Sequence, residues 1–251
     1  MATGFDVTGM RSSLGSATGG VRRIALGAWL VPAVRAVIVL TMMLALSSCV
    51  RIYYADPIKA RVVDAATGAP IQGVNVLAAW QAKGGLEGGN ITGYVKVMED
   101  VTNANGEFSF PGWGPKVWMN GGIRDGAPLL ILLKPGYEVS LVWEGKYGVE
   151  FAPSHLSASL SGRSIPMKRY SERDEEFKQS LSGLWTVLDT LLLEKGCAWR
   201  SIPRFLYKVE EQRSAFLAEG AMVGLGSLDQ MDSRSGLSCG SLRAYVLEHG
   251  R

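Results

Sequence analysis

Hydrophobic and polar positions alternate in short runs through the chain after residue 57, which predicts β-strands. In Gly73–Trp80 the side chains alternate so that one face of a strand can be buried over its whole length. Turn-forming residues separate the runs, as at Asn103–Gly106 and Pro135–Gly136. Strands at this spacing, without helical crossovers, predict an antiparallel β-sandwich. The predicted strands are Ile58–Asp64, Gly73–Trp80, Gly93–Thr102, Glu107–Phe110, Leu129–Leu133 and Tyr137–Trp143.

The pattern changes after residue 170, where apolar residues recur at intervals of three or four positions and predict amphipathic helices. Serines and a proline at the starts of these stretches are typical of helix N-termini. We therefore predict a mainly β fold, a sandwich followed by a small α-helical C-terminal region. The apolar stripes are expected to pack within the chain, with a partner surface as the alternative. The predicted helices run from Ser171 to about Leu193, from Ser201 to before Gly220, and from Ser241 to Glu248.

The N-terminal segment ends in an uncharged run of 13 residues, Ala36–Ser48. Crossing about 30 Å of hydrocarbon takes roughly 20 helical residues, so this run is short for a membrane span. A longer span would bury Arg35, at a cost of roughly 2.5 to 3.5 kcal/mol on insertion scales. Four arginines and only one acidic residue, Asp6, lie in this segment, which is typical of a signal peptide. We predict a signal peptide over residues 1–48, with an uncleaved anchor as the alternative.

The residues Leu46-Ser47-Ser48-Cys49 resemble the lipobox of bacterial lipoproteins. The resemblance implies that the chain is cut before Cys49, that the Cys49 thiol is acylated, and that the mature protein is held on a membrane through this residue. An Asp after the cysteine is the usual inner-membrane signal in such systems, whereas this chain has Val50. The resemblance therefore implies a lipoprotein of the cell outer membrane that faces the periplasm.

The charge balance argues against nucleic acid as a partner. The chain has 26 Lys and Arg against 23 Asp and Glu, but the positive excess lies in residues 1–48. Without that segment the chain carries no net charge, so it lacks the broad positive potential expected of a nucleic-acid binder.

Three blocks of the chain, RVVDAATGAPIQGVNVLA, TNANGEFSFPG and LLKPGYEV, resemble in their order the carboxypeptidase regulatory-like domain, a small transthyretin-like β-sandwich. The resemblance covers roughly residues 57–143 and implies a noncatalytic module. Two segments depart from the family pattern: the Gly-rich Ala82–Gly89, and Pro111–Pro128, an 18-residue connection. The predicted organisation is a signal peptide over 1–48, a tether over 49–56, the sandwich over 57–167 and the helical region over 168–251.

No arrangement of reactive side chains predicts an enzyme. Zinc hydrolysis needs three ligands and a carboxylate base, but the chain has only two histidines, His155 and His249, in no metal-binding motif. Ser154 adjoins His155, and we interpret the pair as a loop serine and a solvated histidine. The Gly224–Gly226 stretch lacks the rest of a phosphate loop and is interpreted as a flexible connection. We therefore expect no catalytic residue, no metal and no cofactor.

The long connection Pro111–Pro128 is the best candidate for ligand contact, because long loops often carry function. It contains Trp113, Trp118 and Arg124, on which a sugar or a peptide could stack. The alternative, favoured on general grounds, is that the two indole rings cap the open end of the sandwich core.

The remaining cysteines, Cys197 and Cys239, are candidates for a disulfide if Cys49 is acylated. An oxidising periplasm allows such a bond, and two free thiols are the alternative.

Two functions remain open from the sequence. The first is a noncatalytic, lipid-anchored envelope protein whose sandwich binds a protein or glycan partner or stabilises an envelope complex. The second is an envelope hydrolase or transport accessory protein with an unrecognised site in the C-terminal region. The absence of a convergent nucleophile and base in the sequence favours the first.

Overall fold

The computed structural model divides the chain into two compact units, Met1–Leu46 and Ser47–Arg251. In the first unit, residues 34–41 are helical and exposed. No helix among the described residues is long and apolar enough to cross a membrane. The predicted lipobox and its Cys49 lie outside the described residues. The structure describes residues 32, 34–41, 50–84, 90–119, 121–124, 126–143, 154–157, 159–170, 175–193, 196–218, 224–235 and 237–251.

The second unit is strand-rich up to residue 167 and helical after residue 175. Its described strands are β1 (Val50–Ala55), β2 (Ile58–Asp64), β3 (Asn75–Gly84), β4 (Asn90–Val101), β5 (Glu107–Phe110), β6 (Trp113–Met119), β7 (Gly122–Ile123), β8 (Leu129–Leu133), β9 (Ser140–Val142), β10 (His155–Leu156) and β11 (Ser164–Met167). Its described helices are α1 (Glu175–Leu192), α2 (Pro203–Ala218), α3 (Leu228–Arg234) and α4 (Leu242–His249), with short 3-10 helices at Ala198–Ser201 and Leu237–Cys239.

The described strands form three sheets. The strand orders are β10-β1-β6, β11-β2-β5 and β4-β3-β8-β9, and β7 also pairs with β3. The pairings are antiparallel except those of β1 with β10 and β2 with β11, which are parallel. Each parallel pair joins strands about 100 residues apart, because a parallel partner cannot follow through a tight turn.

The strand β3 is buried on both faces, because each face contributes to a different hydrophobic core. Val76, Ala78 and Trp80 contribute to a core shared with strands of the two smaller sheets. Leu77 and Ala79, on the opposite face, contribute to a second core shared with the helices. The alternating pattern predicted one buried face. The helices bury the other face, and the middle of the strand, Val76–Trp80, is accordingly apolar at every position.

The helices pack on the sheet through their apolar stripes, which confirms the expectation of packing within the chain. Leu181, Leu184 and Leu188 of α1 are fully or almost fully buried in the same core as Phe205 and Val209 of α2. The hydroxyl of Tyr94 on β4 donates a hydrogen bond of 3.0 Å to the carbonyl of Val187. The helices and strands β3, β4 and β8 therefore share a core, although the predicted domain boundary lies between them at residue 168.

The start of α2 differs from the prediction. Ser201 does not cap this helix but ends the preceding 3-10 helix. The first backbone N–H groups of α2 instead donate to the Glu99 carboxylate on β4, with Arg204 at 3.2 Å and Phe205 at 2.7 Å. A residue distant in sequence thus supplies the acceptor that an N-cap serine would otherwise provide.

Helix α3 was not predicted. Ser227 and Gln230 form a reciprocal capping box at its start. Gly226, interpreted from the sequence as part of a flexible connection, is buried, and a side chain there would overlap the ring of Trp185. The stretch is therefore packed at Gly226, whereas Gly224 is exposed with open space around it.

Two segments assigned to irregular structure contain strands. The predicted tether over 49–56 includes β1, which pairs with β6 and β10. The predicted 18-residue connection Pro111–Pro128 includes β6 and β7. Both assignments missed the strands because each partner lies far away in sequence, so no local turn marks the pairing. The predicted strand Tyr137–Trp143 is shorter in the structure, and its described strand is β9.

Candidate functional site

The two tryptophans predicted for ligand contact lie against the core. Trp113 and Trp118 are partly buried on β6 and pack on the core formed by the two smaller sheets and the inner face of β3. The ring of Trp113 meets Trp80 edge to face, with 5.3 Å between ring centroids. This is the arrangement expected of rings that cap a core. A role in ligand contact stays a prediction.

Trp113, Trp118 and Arg124 do not form one stacking platform. The two tryptophans are five residues apart on one strand, which is about 17 Å at the rise of a β-strand. The guanidinium of Arg124 lies 4.0 Å from the ring centroid of Trp143, and its backbone N–H donates to the carbonyl of Gln81. The three predicted residues therefore face different neighbours.

A polar groove that was not predicted from the sequence lies beside strands β2, β5 and β11. Its volume is about 800 Å³. The lining is mixed in charge, and it includes Lys59, Arg61, Asp100, Glu107 and Arg163. An open groove of this kind can accommodate a polar, extended ligand.

The strands set the positions of the groove cations. Lys59 and Arg61 alternate with the buried Ala60 along β2, so both side chains are exposed on the same face. Arg163 comes directly before β11, and its carbonyl accepts a hydrogen bond from the Arg61 backbone at 3.0 Å. The parallel pairing of β11 with β2 therefore brings a third cation beside the first two.

The groove's two carboxylates differ in their partners. Glu107 lies 3.5 Å from the Arg61 guanidinium, and both side chains are about half exposed, at 48% and 52%. Asp100 accepts hydrogen bonds from the backbone N–H groups of Ser109 at 2.7 Å and Val101 at 2.8 Å. Among the described residues, no partner is found for the ammonium group of Lys59 or the guanidinium group of Arg163. These two cations are the groups in the groove best placed to meet an anionic ligand.

Asp64 ends β2, the strand that carries Lys59 and Arg61. Its side chain is almost completely buried, and it accepts hydrogen bonds from four groups: the Tyr137 hydroxyl, the backbone N–H groups of Ala66 and Thr67, and Arg169 Nε. The Tyr137 hydroxyl is the largest cause that lowers the pKa of Asp64, and burial opposes the shift. The pKa of Tyr137 is raised by burial and by this same hydrogen bond.

Glu99, which caps α2, responds to its surroundings in the opposite direction. Burial raises the pKa of Glu99 above its ordinary value. The hydrogen bonds from Phe205 and Arg204 lower it in part. Burial therefore disfavours the charged form of Glu99, whereas the N–H groups at the start of α2 favour it.

Among the described residues, no hydrogen bond joins the Ser154 hydroxyl to the neighbouring His155. His155 on β10 is exposed, and its Nε2 lies 3.1 Å from Oδ1 of Asp56. Ser154 contributes its backbone carbonyl, which accepts from the Tyr54 N–H at 2.9 Å. Among the described residues, no group of three or more His, Cys, Asp or Glu side chains is arranged to hold a metal ion.

Cys197 and Cys239 lie at disulfide distance, with 5.7 Å between their Cα atoms. Cys239 is buried, and the two residues are 42 positions apart. The segment between the two cysteines contains α2 and α3, and the pair joins the two short 3-10 helices. The structure thus confirms that the two predicted cysteines lie close enough to pair.

Comparison with protein-family models, with curated proteins and with solved structures gives no match to this chain. One signal for the groove was present in the sequence, because Lys59 and Arg61 occupy alternate positions of a predicted strand. The position of Arg163 beside Lys59 and Arg61 could not be predicted from the sequence, since it depends on a parallel pairing across about 100 residues.

Proposed function

We propose that this chain is a noncatalytic, lipid-anchored protein of the cell envelope that binds an acidic partner, a protein or a glycan, through the groove beside β2, β5 and β11. Its β-sheet body is proposed to be a carboxypeptidase regulatory-like, transthyretin-like sandwich. Its place is proposed to be the outer membrane, facing the periplasm, with the acyl group on Cys49.

The sandwich proposal is supported by the core between β3 and the two smaller sheets. Buried residues of β2, β3, β5 and β8 meet there, as the two inner faces of a sandwich would. The positive-φ glycines Gly68, Gly106 and Gly136 lie in the three turns on which the resemblance rests. At Gly106 a side chain would overlap the carbonyl oxygen of Val62, so the turn requires a glycine.

The lipid anchor is supported by the short distance in sequence between Cys49 and the folded body. Strand β1 begins at Val50, directly after the proposed attachment residue. The pairing of Cys197 with Cys239 is compatible with an oxidising compartment.

The groove's two cations without a side-chain partner in the described structure carry the binding proposal. Lys59 and Arg163 stand at the rim of a polar groove on a body that carries no net charge after residue 48. Carboxylates or phosphates on a glycan or a protein are the groups that they would attract. Because both side chains are exposed, the attraction is expected to weaken as salt is added.

The first experiment tests the anchor. The full chain is expressed in a bacterium with a lipoprotein pathway, and the mature protein is analysed by mass spectrometry. We expect an N-terminus at Cys49 that carries acyl groups, and loss of both cleavage and membrane retention in Cys49→Ala. An intact N-terminus upstream of Cys49 without an acyl adduct would show that the proposal is wrong.

The second experiment tests the groove with purified peptidoglycan sacculi, whose stem peptides carry carboxylates. Cosedimentation of the native protein is compared with that of Lys59→Gln/Arg163→Gln. A control variant, Arg243→Gln/Arg251→Gln, removes two exposed cations elsewhere. We expect salt-sensitive binding that only the groove variant loses. If sacculi do not bind, photo-crosslinking from residue 59 in intact envelopes tests for a protein partner, and the absence of both would contradict the groove assignment.

A further inference from the structure

One face of the β10-β1-β6 sheet is apolar and exposed. Its large apolar side chains are Ile52 and Tyr54 of β1 and Val117 and Met119 of β6, exposed by 44%, 45%, 55% and 64%. Among the described residues of the second unit, Leu193 and Leu217 are the other exposed large apolar side chains. Four of the six exposed large apolar side chains in the described part of this unit therefore lie on this one face.

The strand register explains why the four side chains form a continuous surface. Ile52 lies opposite Val117, and Met119 lies opposite the backbone of Val50. Residues at alternate positions of one strand, and residues directly opposite on its neighbour, point to the same side of a sheet. The inward side chain between Ile52 and Tyr54 is Tyr53, which is fully buried.

The face becomes polar at its far end. Tyr54 pairs with His155 of β10, and His155 contacts Asp56 at 3.1 Å. Along β1 the face thus passes from Met119 and Ile52, through the phenol of Tyr54, to the polar contact between Asp56 and His155. Tyrosine is enriched where hydrocarbon meets water, so this order matches the depth profile of a membrane interface.

The apolar end of the face is the end that adjoins the proposed lipid. Cys49 is one residue before β1, and Ile52 is three residues from it, which is about 10 Å along an extended chain. An acyl group on Cys49 holds that end of the strand at the bilayer surface.

We propose that this face, which we call the β1–β6 face and define by Ile52, Tyr54, Val117 and Met119, rests in the interface of the membrane that holds Cys49. The proposal depends on the acylation of Cys49 proposed above. The acyl group supplies the attachment, and the β1–β6 face fixes the orientation of the body. The Met119 end lies deepest, Tyr54 lies at headgroup level, and the Asp56 and His155 pair stays in water.

The test uses the acylated, full mature protein in vesicles of phosphatidylethanolamine and phosphatidylglycerol. Val117→Cys and, separately, Met119→Cys carry an environment-sensitive fluorophore. Thr92→Cys, at an exposed position of β4, is the matched control. We expect vesicles to shift the emission of the labels at 117 and 119 to shorter wavelength. Lipids with a quencher in the acyl region should quench both, and neither effect should appear at 92.

The outcomes separate this inference from the anchor itself. If mass spectrometry shows acylation and the protein floats with vesicles, but the labels at 117 and 119 remain in water, the inference is overturned and the anchor stands. If the labels shift without vesicles and in proportion to protein concentration, a second copy covers the face, which also overturns it. If Cys49 is not acylated, the anchor proposal fails and this inference fails with it.

Discussion

The hydroxyl of Tyr137 donates a hydrogen bond of 3.0 Å to Oδ2 of Asp64. This contact joins the end of β2 to the turn that follows β8, and the Nε of Arg169 donates to the same oxygen at 3.1 Å. The other oxygen of Asp64 accepts from two backbone N–H groups of the turn after β2. Because every one of these groups favours the charged carboxylate, the fold is coupled to the ionisation of Asp64.

We predict that the stability contributed by Asp64 is lost in acid. Its folded-state pKa lies below the ordinary value of 3.8. The contribution is therefore complete above the unfolded-state pKa and is lost as the pH falls through the folded-state pKa. Asp64→Asn should lower the urea midpoint of unfolding at pH 7, and the difference from the native protein should shrink below about pH 4.

The control for this prediction is Glu248→Gln, which removes a carboxylate that is 75% exposed. Its urea midpoint should follow that of the native protein at each pH. A difference between the native protein and Asp64→Asn that stays constant down to pH 2 would contradict the assigned role of the Asp64 charge.

We predict that Glu99→Ala destabilises helix α2. The substitution leaves the N–H groups of Arg204 and Phe205 without the acceptor that Glu99 provides. Loss of a helix cap costs about 1 kcal/mol in the free energy of unfolding. Chemical denaturation would measure this loss, and hydrogen exchange should show faster exchange at the two amides.

Glu99→Gln separates the cap from the charge. Glutamine keeps an oxygen acceptor but carries no charge. Since burial raises the folded-state pKa of Glu99, the stability contributed by this group is present below its unfolded-state pKa and is lost as the pH rises through the folded-state pKa. Relative to the native protein, Glu99→Gln should therefore be more stable at pH 7 than at pH 4. The opposite trend would show that hydrogen bonds outweigh burial at this site.

Some elements were predictable because their signals are local. The strand Leu129–Leu133 has the bounds predicted from its apolar run, and α4 begins one residue after Ser241, where the third helix was predicted to start. The strands β1 and β6 were missed because they pair with each other across about 60 residues, and Gly114 and Pro115 interrupt the alternation of β6. Long-range pairing cannot be read from local pattern.

The groove and the cap of α2 show the same limit at the level of single side chains. The alternation of Lys59 and Arg61 could be read from β2, but the position of Arg163 depends on the parallel pairing of β11. Glu99 caps a helix whose first residues are about 105 positions away. Periodicity predicts which face of an element is polar. It does not predict which distant backbone group that face will meet.

We predict that Gly226→Ala destabilises the protein, whereas Gly224→Ala does not. A Cβ at residue 226 would overlap the ring of Trp185, which must then move away from α3. A Cβ at residue 224 meets nothing within 4 Å. Overpacking of this kind costs typically 1 to 3 kcal/mol in the free energy of unfolding. Thermal unfolding of the two variants measures the difference, and equal stability would contradict the packing at Gly226.

We predict that the pairing of Cys197 with Cys239 stabilises the helical region. The closed loop spans 42 residues and contains α2 and α3. In the chain-entropy model, a bond that closes a loop of this length stabilises by about 4 kcal/mol, because it restricts the unfolded chain. The double variant Cys197→Ser/Cys239→Ser keeps Cys49 for acylation and should unfold at a lower urea concentration than the oxidised native protein.

Addition of a reductant should lower the midpoint of the native protein toward that of the variant and leave the variant unchanged. If oxidised and reduced native protein unfold at the same midpoint, while mass spectrometry shows that the bond was present and then reduced, the predicted stabilisation is wrong.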